Sequence, residues 1–182
     1  MQCPELLHEF LQREFLHEML IRPETPADHD AIHELTWVAF KPMAFSDDTE
    51  ADIIRTLRAN GDLAISLVAE EGGEIVGHVA FSPVTINGVD DGWFGLGPIA
   101  VKPGMQRQGV GKALIAAGLK LLDERGASGC ALIGNPDVYS RAGFVSDGRL
   151  TYQDIDTKYV QRFVLRGSAP SGTLKFARAF GG

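Results

Sequence analysis

The stretch Leu96-Gly97-Pro98-Ile99-Ala100-Val101-Lys102-Pro103-Gly104-Met105-Gln106-Arg107-Gln108-Gly109-Val110-Gly111-Lys112 constrains this chain more than any other. It reads as an apolar strand, a short basic loop rich in glycine, and the start of an amphipathic helix. A loop that turns directly into a helix leaves several backbone N–H groups without intrahelical partners, and the helix dipole is positive where they converge. Gly109 and Gly111 carry no Cβ to hold a ligand away from those amides. Between Trp93 and Leu122 the chain has no Asp or Glu, yet it has Lys102, Arg107, Lys112 and Lys120. In a chain of formal net charge -7, that zone is where an anionic group such as a pyrophosphate would bind.

The loop lacks the Lys-Ser/Thr ending of a P-loop, and its glycine spacing does not match the dinucleotide fingerprint. Gln106-Arg107-Gln108-Gly109-Val110-Gly111 instead resembles the Q/R-x-x-G-x-G/A loop of the GNAT acyltransferases. A second motif follows about one helix and one strand later. Asn135-Pro136-Asp137-Val138-Tyr139-Ser140-Arg141-Ala142-Gly143-Phe144 resembles that family's other cofactor motif, which ends in Tyr-x-x-x-Gly-Phe. The resemblance covers about residues 19 to 165, and its specific part is 96 to 144. It implies a mixed α/β fold: a mostly antiparallel sheet with one splayed parallel pair at the cofactor site and helices on both faces.

Composition sets wider bounds. A chain of 182 residues with 45% hydrophobic and 23% charged residues suits a globular domain with its own core. A pI near 5.2 argues against nucleic-acid binding, which needs a basic face. No run of 18 apolar residues is present to cross a membrane, and no basic-then-apolar leader opens the chain. Cys3 and Cys130 do not make a disulfide framework, which fits a cytoplasmic location, and Cys130 reads as an inert core thiol. Residues 1–18 have an apolar helical stripe (Leu6, Leu7, Phe10, Leu11, Phe15) and form an N-terminal extension to a single domain over 19–182.

Along that domain, Met19 to Pro23 reads as a strand. Helices are expected from Pro26 through Ala39 and from Ser46 through Leu57, the second stopped by Asn60-Gly61. The period then changes to two. Leu63 to Ala69 and Ile75 to Phe81 make a hairpin about Gly72-Gly73, and Asn87-Gly88 turns a second hairpin into the strand ending at Val101. After the loop and its helix come a buried strand at Cys130–Ile133, parallel to the strand before the helix, and a short helix near Val138 to Ala142. Strands near Phe144 and Tyr159–Leu165 follow. Ser168 to Gly172 reads as a loop, with Leu174, Phe176 and Phe180 packing back; exposed apolar groups there are compatible with a homodimer.

Pro98 lies inside an expected central strand, where it cannot donate to a ladder, so the strand bulges there or loses a neighbour. In the GNAT resemblance the strand parts from its parallel neighbour and the pantetheine arm enters as an extra strand. Main-chain groups of Ile99, Ala100 and Val101 would pair with the arm and the acyl carbonyl. Amides of Gln106, Arg107, Gln108, Gly109, Val110, Gly111 and Lys112 would hold the pyrophosphate. Tyr139 matches the family's general acid, and Asn135 matches a residue that bonds the pantetheine or nearby backbone. Asn135 reads equally as a strand-ending turn residue before Pro136. The implied reaction moves acetyl from acetyl-CoA to a primary amine, small molecule or peptide, by direct attack and without a metal. A non-catalytic acyl-CoA-binding sensor is the alternative. Glu34, Asp47, Asp48, His78, Asp90 and Asp91 are all candidate bases, and the sequence selects none of them.

Overall fold

The protein is described by a computed structural model over residues 19–44 and 46–181; the 1–18 extension and Cys3 lie outside the described residues. Its strands are β1 (Met19–Pro23), β2 (Ile65–Glu71), β3 (Glu74–Pro83), β4 (Thr85–Ile86), β5 (Trp93–Val101), β6 (Gly129–Ile133), β7 (Leu150–Thr151), β8 (Val160–Val164) and β9 (Gly172–Lys175). The helices are α1 (His29–Phe40), α2 (Glu50–Asn60), α3 (Val110–Glu124) and α4 (Pro136–Tyr139). A six-stranded sheet runs in the order β1-β2-β3-β5-β6-β8. Its pairs are antiparallel except β5 with β6, which are parallel because α3 crosses between them.

Strand alternation sorts the core into two sides. Leu67, Val79 and Phe81 pack with Leu114, Ile115 and Leu122 of α3. On the other side, Val68 meets Ile32 and Ile54, and Ala100 meets Leu35 and Ala39, so α1 and α2 cover that face. Close approach of α3 depends on two glycines. A Cβ on Gly77 would stand 2.8 Å from Val110 Cγ1 and 2.9 Å from Leu114 Cδ1, and one on Gly118 would collide with the Phe81 ring.

The expected turns form. Gly72 and Gly73 are both left-handed, Asn87-Gly88 turns the chain between Ile86 and Val89, and Gly61 ends α2 in the left-handed conformation. Both expectations for Pro98 hold together. The β3–β5 register shifts between Val79 and Phe81, so Gly97 and Pro98 lie in a bulge against Ala80. Beyond Gly95, β5 no longer pairs with β6.

Three details differ from the sequence reading. The strand expected near Phe144 is a single bridge, Val145 to Arg162, because the chain leaves the sheet edge at once. The short helix starts two residues earlier, at Pro136, where proline suits a first helical position, and continues as a 3-10 turn over Ser140–Ala142. The tail is more than a loop. β9 joins β4 antiparallel and β7 parallel in a second, three-stranded sheet. Asn87 clamps it: its N–H donates to Thr173 O at 2.9 Å, and its Oδ1 accepts from the Thr173 N–H at 2.9 Å. Leu174 and Phe176 thereby enter a core with Val84, Trp93, Ala131, Leu150 and Val160.

Replacing Gly118 with Ala tests the α3 contact. Propensity alone would favour Ala in a helix by about 1 kcal/mol. The clash with the fully buried Phe81 should reverse that sign and cost about 1–3 kcal/mol in denaturant unfolding. A net gain in stability would refute the packing described.

Candidate active site

The site begins where β5 and β6 separate. They pair over three residues only, Trp93 to Gly95 opposite Gly129 to Ala131. From Leu96 onward β5 keeps β3 on one side, while β6 continues beside β8. The free edge of β5 can be read from one bond. The Lys102 N–H donates to Val76 O at 2.8 Å, so Ala100, two residues earlier, also directs its main-chain groups to β3. Ile99 and Val101 therefore turn theirs to the opening, and Val101 O accepts from the Gln106 side-chain amide at 3.3 Å on that edge. Ala100 belongs to the ladder, with its side chain buried under Leu35 and Ala39.

At the mouth of the opening lies the basic loop. Gly104, Arg107 and Gly109 are left-handed, which curls the chain back into α3. The first helical bond is Ala113 N–H to Gly109 O. Among the described residues, the backbone N–H groups from Gln106 to Lys112 meet no acceptor. The side chain of Gln108 folds onto its own loop, donating to Gly104 O at 3.2 Å. Lys102 is paired with Glu74 at 2.7 Å, leaving Arg107 and Lys112 as exposed charges with no acidic partner among the described residues. Gly109 needs its glycine for φ +89°. Gly111 does not: a Cβ there would make ordinary contacts, 3.6 Å to Val101 and 3.9 Å to Ile99.

The far side of the opening carries α4. Asn135 caps it, its Oδ1 accepting from the Asp137 N–H at 3.0 Å. The Tyr139 ring sits on Gly134, where a Cβ would come within 2.5 Å of the ring, and edge-on to Phe144 with centroids 6.3 Å apart. Burial pushes the Tyr139 phenol above its ordinary pKa, so it is a protonated donor at neutral pH. Gln161, absent from the sequence reading, braces this seat. It is fully buried opposite Leu132 and donates to Gly134 O at 2.9 Å; its Oε1 has no partner among the described residues. Gln161 and Arg162 stand side by side in β8, so the sequence does not show which of the two is buried.

The candidate bases scatter. Glu34, Asp47, Asp48, Asp90 and Asp91 are all exposed, on α1, the α1–α2 connection and the Asn87 hairpin. His78 is fully buried on the α1–α2 face, with Nε2 at 2.7 Å from Ser66 Oγ. Burial pushes its pKa down to about 4, so it is neutral. Cys130 is buried and its thiol is pushed up by burial, the opposite of an activated nucleophile. Beside Ser66, a depression of about 390 Å3 holds Glu24, His29 and Arg58. Arg58 reaches both Glu24 oxygens, at 3.0 and 3.1 Å, and His29 lies 2.7 Å from Glu24. Burial alone would raise the pKa of Glu24, but Arg58 and Ser66 outweigh it and hold the carboxyl below its usual range. In sequence, Glu24 is only a loop residue between two prolines.

An opened parallel pair with bare helix-start amides at its mouth and a half-buried tyrosine across it is the arrangement of an acyltransferase. The model of the acetyltransferase (GNAT) family matches residues 29–144, and the chain belongs to that family. It is 39% identical over 127 residues to the uncharacterized N-acetyltransferase YhbS of Escherichia coli strain K12, covering 69% of this chain and 73% of that protein. A GNAT family acetyltransferase from Brucella melitensis, solved in complex with acetyl-CoA, is 41% identical with a TM-score of 0.81, over 90% of this chain and 99% of the other. Escherichia coli YhbS in complex with CoA is 32% identical with a TM-score of 0.81, over 90% and 92%. No helix among the described residues is long and apolar enough to cross a membrane, and no cluster of three metal-ligating side chains occurs among them.

The buried His78 gives a pH prediction. Unfolded, it titrates near 6.5; folded, near 4. Its contribution is complete above pH 6.5 and is lost as pH falls toward 4, because the unfolded chain takes up the proton first. Between pH 6.5 and 5, unfolding free energy should fall by roughly 1 kcal/mol per pH unit. The slope should be shallower in His78→Gln; equal slopes would show that the buried imidazole is not the titrating group.

Proposed function

We propose that the protein moves the acetyl group of acetyl-CoA to a primary amine by direct attack in a ternary complex. The observation that carries this reading is the run of unpaired amides from Gln106 to Lys112 at the mouth of the opened β5 edge. Those amides, with Arg107 and Lys112, suit a pyrophosphate. The free main-chain groups of Ile99 and the N–H of Val101 suit the amide-bearing pantetheine arm, which would lie beside β5 as a short strand. Asn135 has its Oδ1 engaged in capping α4, which leaves its side-chain N–H groups for the arm. The relatives solved with acetyl-CoA and with CoA support the same ligand here.

In the reaction the amine nitrogen attacks the thioester carbon, the C–S bond breaks, the thiolate takes a proton from the Tyr139 hydroxyl, and the proton lost by the acylated nitrogen returns through solvent to the tyrosinate. The raised pKa of Tyr139 keeps its hydroxyl protonated at neutral pH and available to the sulfur as negative charge develops there. A protonated amine must also lose a proton before attack, and we assign its removal to water, since the candidate carboxylates are all exposed. Direct attack fits the inert state of Cys130.

Two variants separate the parts of this reading. Gly111→Val puts a branched side chain into the amide run, where the loop motif takes only Gly or Ala. Its affinity for acetyl-CoA, measured by calorimetry, should fall about tenfold or more. Unchanged affinity in a folded variant would remove the amide cradle from the proposal. Tyr139→Phe keeps the ring on Gly134 and should bind CoA as the parent does. Its turnover with an acceptor amine found by thiol-release screening should drop about 10²-fold or more. Equal turnover would make Tyr139 a packing residue. Binding with no turnover on any amine would favour the sensor alternative.

A further inference from the structure

Phe176 stands at the point where β5 and β6 part. Gly95 faces Ala131 in the last paired step before the opening. On the side of the sheet that carries the tail, a Cβ at Gly95 would lie 2.7 Å from the Phe176 ring and 2.9 Å from Val84 Cγ1. Two residues on, a Cβ at Gly97 would meet nothing within 4 Å. The surface of β5 thus changes from filled to open between Gly95 and Gly97, and Phe176 forms the boundary. The ring is fixed from both sides, by Tyr152 at 5.1 Å between centroids, perpendicular, and by Phe180 at 5.3 Å. β9, locked between β4 and β7, supplies the backbone that delivers it.

The direction of an entering thioester follows from the amides and the strand edge. An arm that starts at Gln106–Lys112 and runs along Val101 and Ile99 brings its acyl end toward Gly97 and points it at the Gly95–Ala131 pair. In the plane of the sheet that path closes, since paired strands stand about 4.8 Å apart and leave no width for a third chain. The α3 side is filled by the buried Leu96, Leu132 and Phe144. The space over Gly97 on the tail side is the remaining exit for added methylenes, and Phe176 ends it.

We infer that Phe176 is the end wall of the acyl slot and that it restricts this enzyme to short acyl groups. The inference rests on the reading of the β5–β6 opening as the acyl-CoA site. It makes residues 172–180 part of the specificity apparatus, though no motif in the sequence assigns them to the site. The ring acts by excluded volume and takes no part in proton transfer.

The test is calorimetric titration of acetyl-, butyryl- and hexanoyl-CoA into the intact protein and into Phe176→Ala, with folding checked by circular dichroism. In the parent, affinity should fall by about tenfold or more from acetyl to hexanoyl, the range expected when a pocket refuses extra methylenes. In Phe176→Ala hexanoyl-CoA should bind at least as tightly as acetyl-CoA. Phe176→Leu, which keeps more of the core volume, should give an intermediate ratio and serves where the Ala variant does not fold. Equal affinity for all three thioesters in the parent, or an unchanged ratio in a folded variant, overturns the end wall and leaves the cofactor reading intact. Failure of the parent to bind CoA or any thioester removes the cofactor reading and the wall with it.

Discussion

The separation of β5 from β6 after Gly95 and Ala131 is the constraint on which the rest of this structure depends. Two parallel strands in the middle of a sheet would ordinarily pair along their whole length and be covered on both faces. Here each strand is held firmly by its other neighbour, β5 by β3 and β6 by β8, so the sheet remains one body while its centre opens. The bulge at Gly97 and Pro98 lies at the parting. A bulge adds local twist and disrupts the ladder, and it falls where a proline cannot contribute a bond. Main-chain groups left bare inside a protein are costly unless something bonds them; of those that Ile99 and Val101 turn to the opening, the Val101 carbonyl is met by the Gln106 side chain.

Electrostatics complete the arrangement with few charges. The acid-free stretch from Trp93 to Leu122 gives a positive zone in an acidic chain, but the structure narrows it. Glu74 neutralises Lys102. Lys120 lies eight residues beyond Lys112 on α3, about 12 Å farther along the helix axis. Arg107 and Lys112 remain at the helix start, where the dipole adds to them.

Much of the fold was legible because local signals and global structure agree. Period-two runs, glycine turns and the loop at 102–109 each have a short-range cause, and Pro98 announced the bulge. What escaped depends on contacts distant in sequence. β4, β7 and β9 are four residues or fewer, too short for a period to register, and they find one another only in three dimensions. Gln161 reads as a surface residue until its strand is seen buried against Gly134. Glu24 and Arg58 are 34 positions apart, and neither carries a motif. Within the site, Ala100 could not be told from Ile99 and Val101 until the Lys102–Val76 bond fixed which edge each residue shows.

The second sheet has a consequence for how the molecule is made. Its defining bond joins Thr173 to Asn87 across 86 positions of chain, and contacts of that separation must offset a large closure entropy before they stabilise anything. The β2–β3 and β3–β5 pairings close over far shorter spans of chain. The order of assembly follows: these local pairings can close early, while the step that sets Phe176 beside Gly95 must wait for a much longer loop to close.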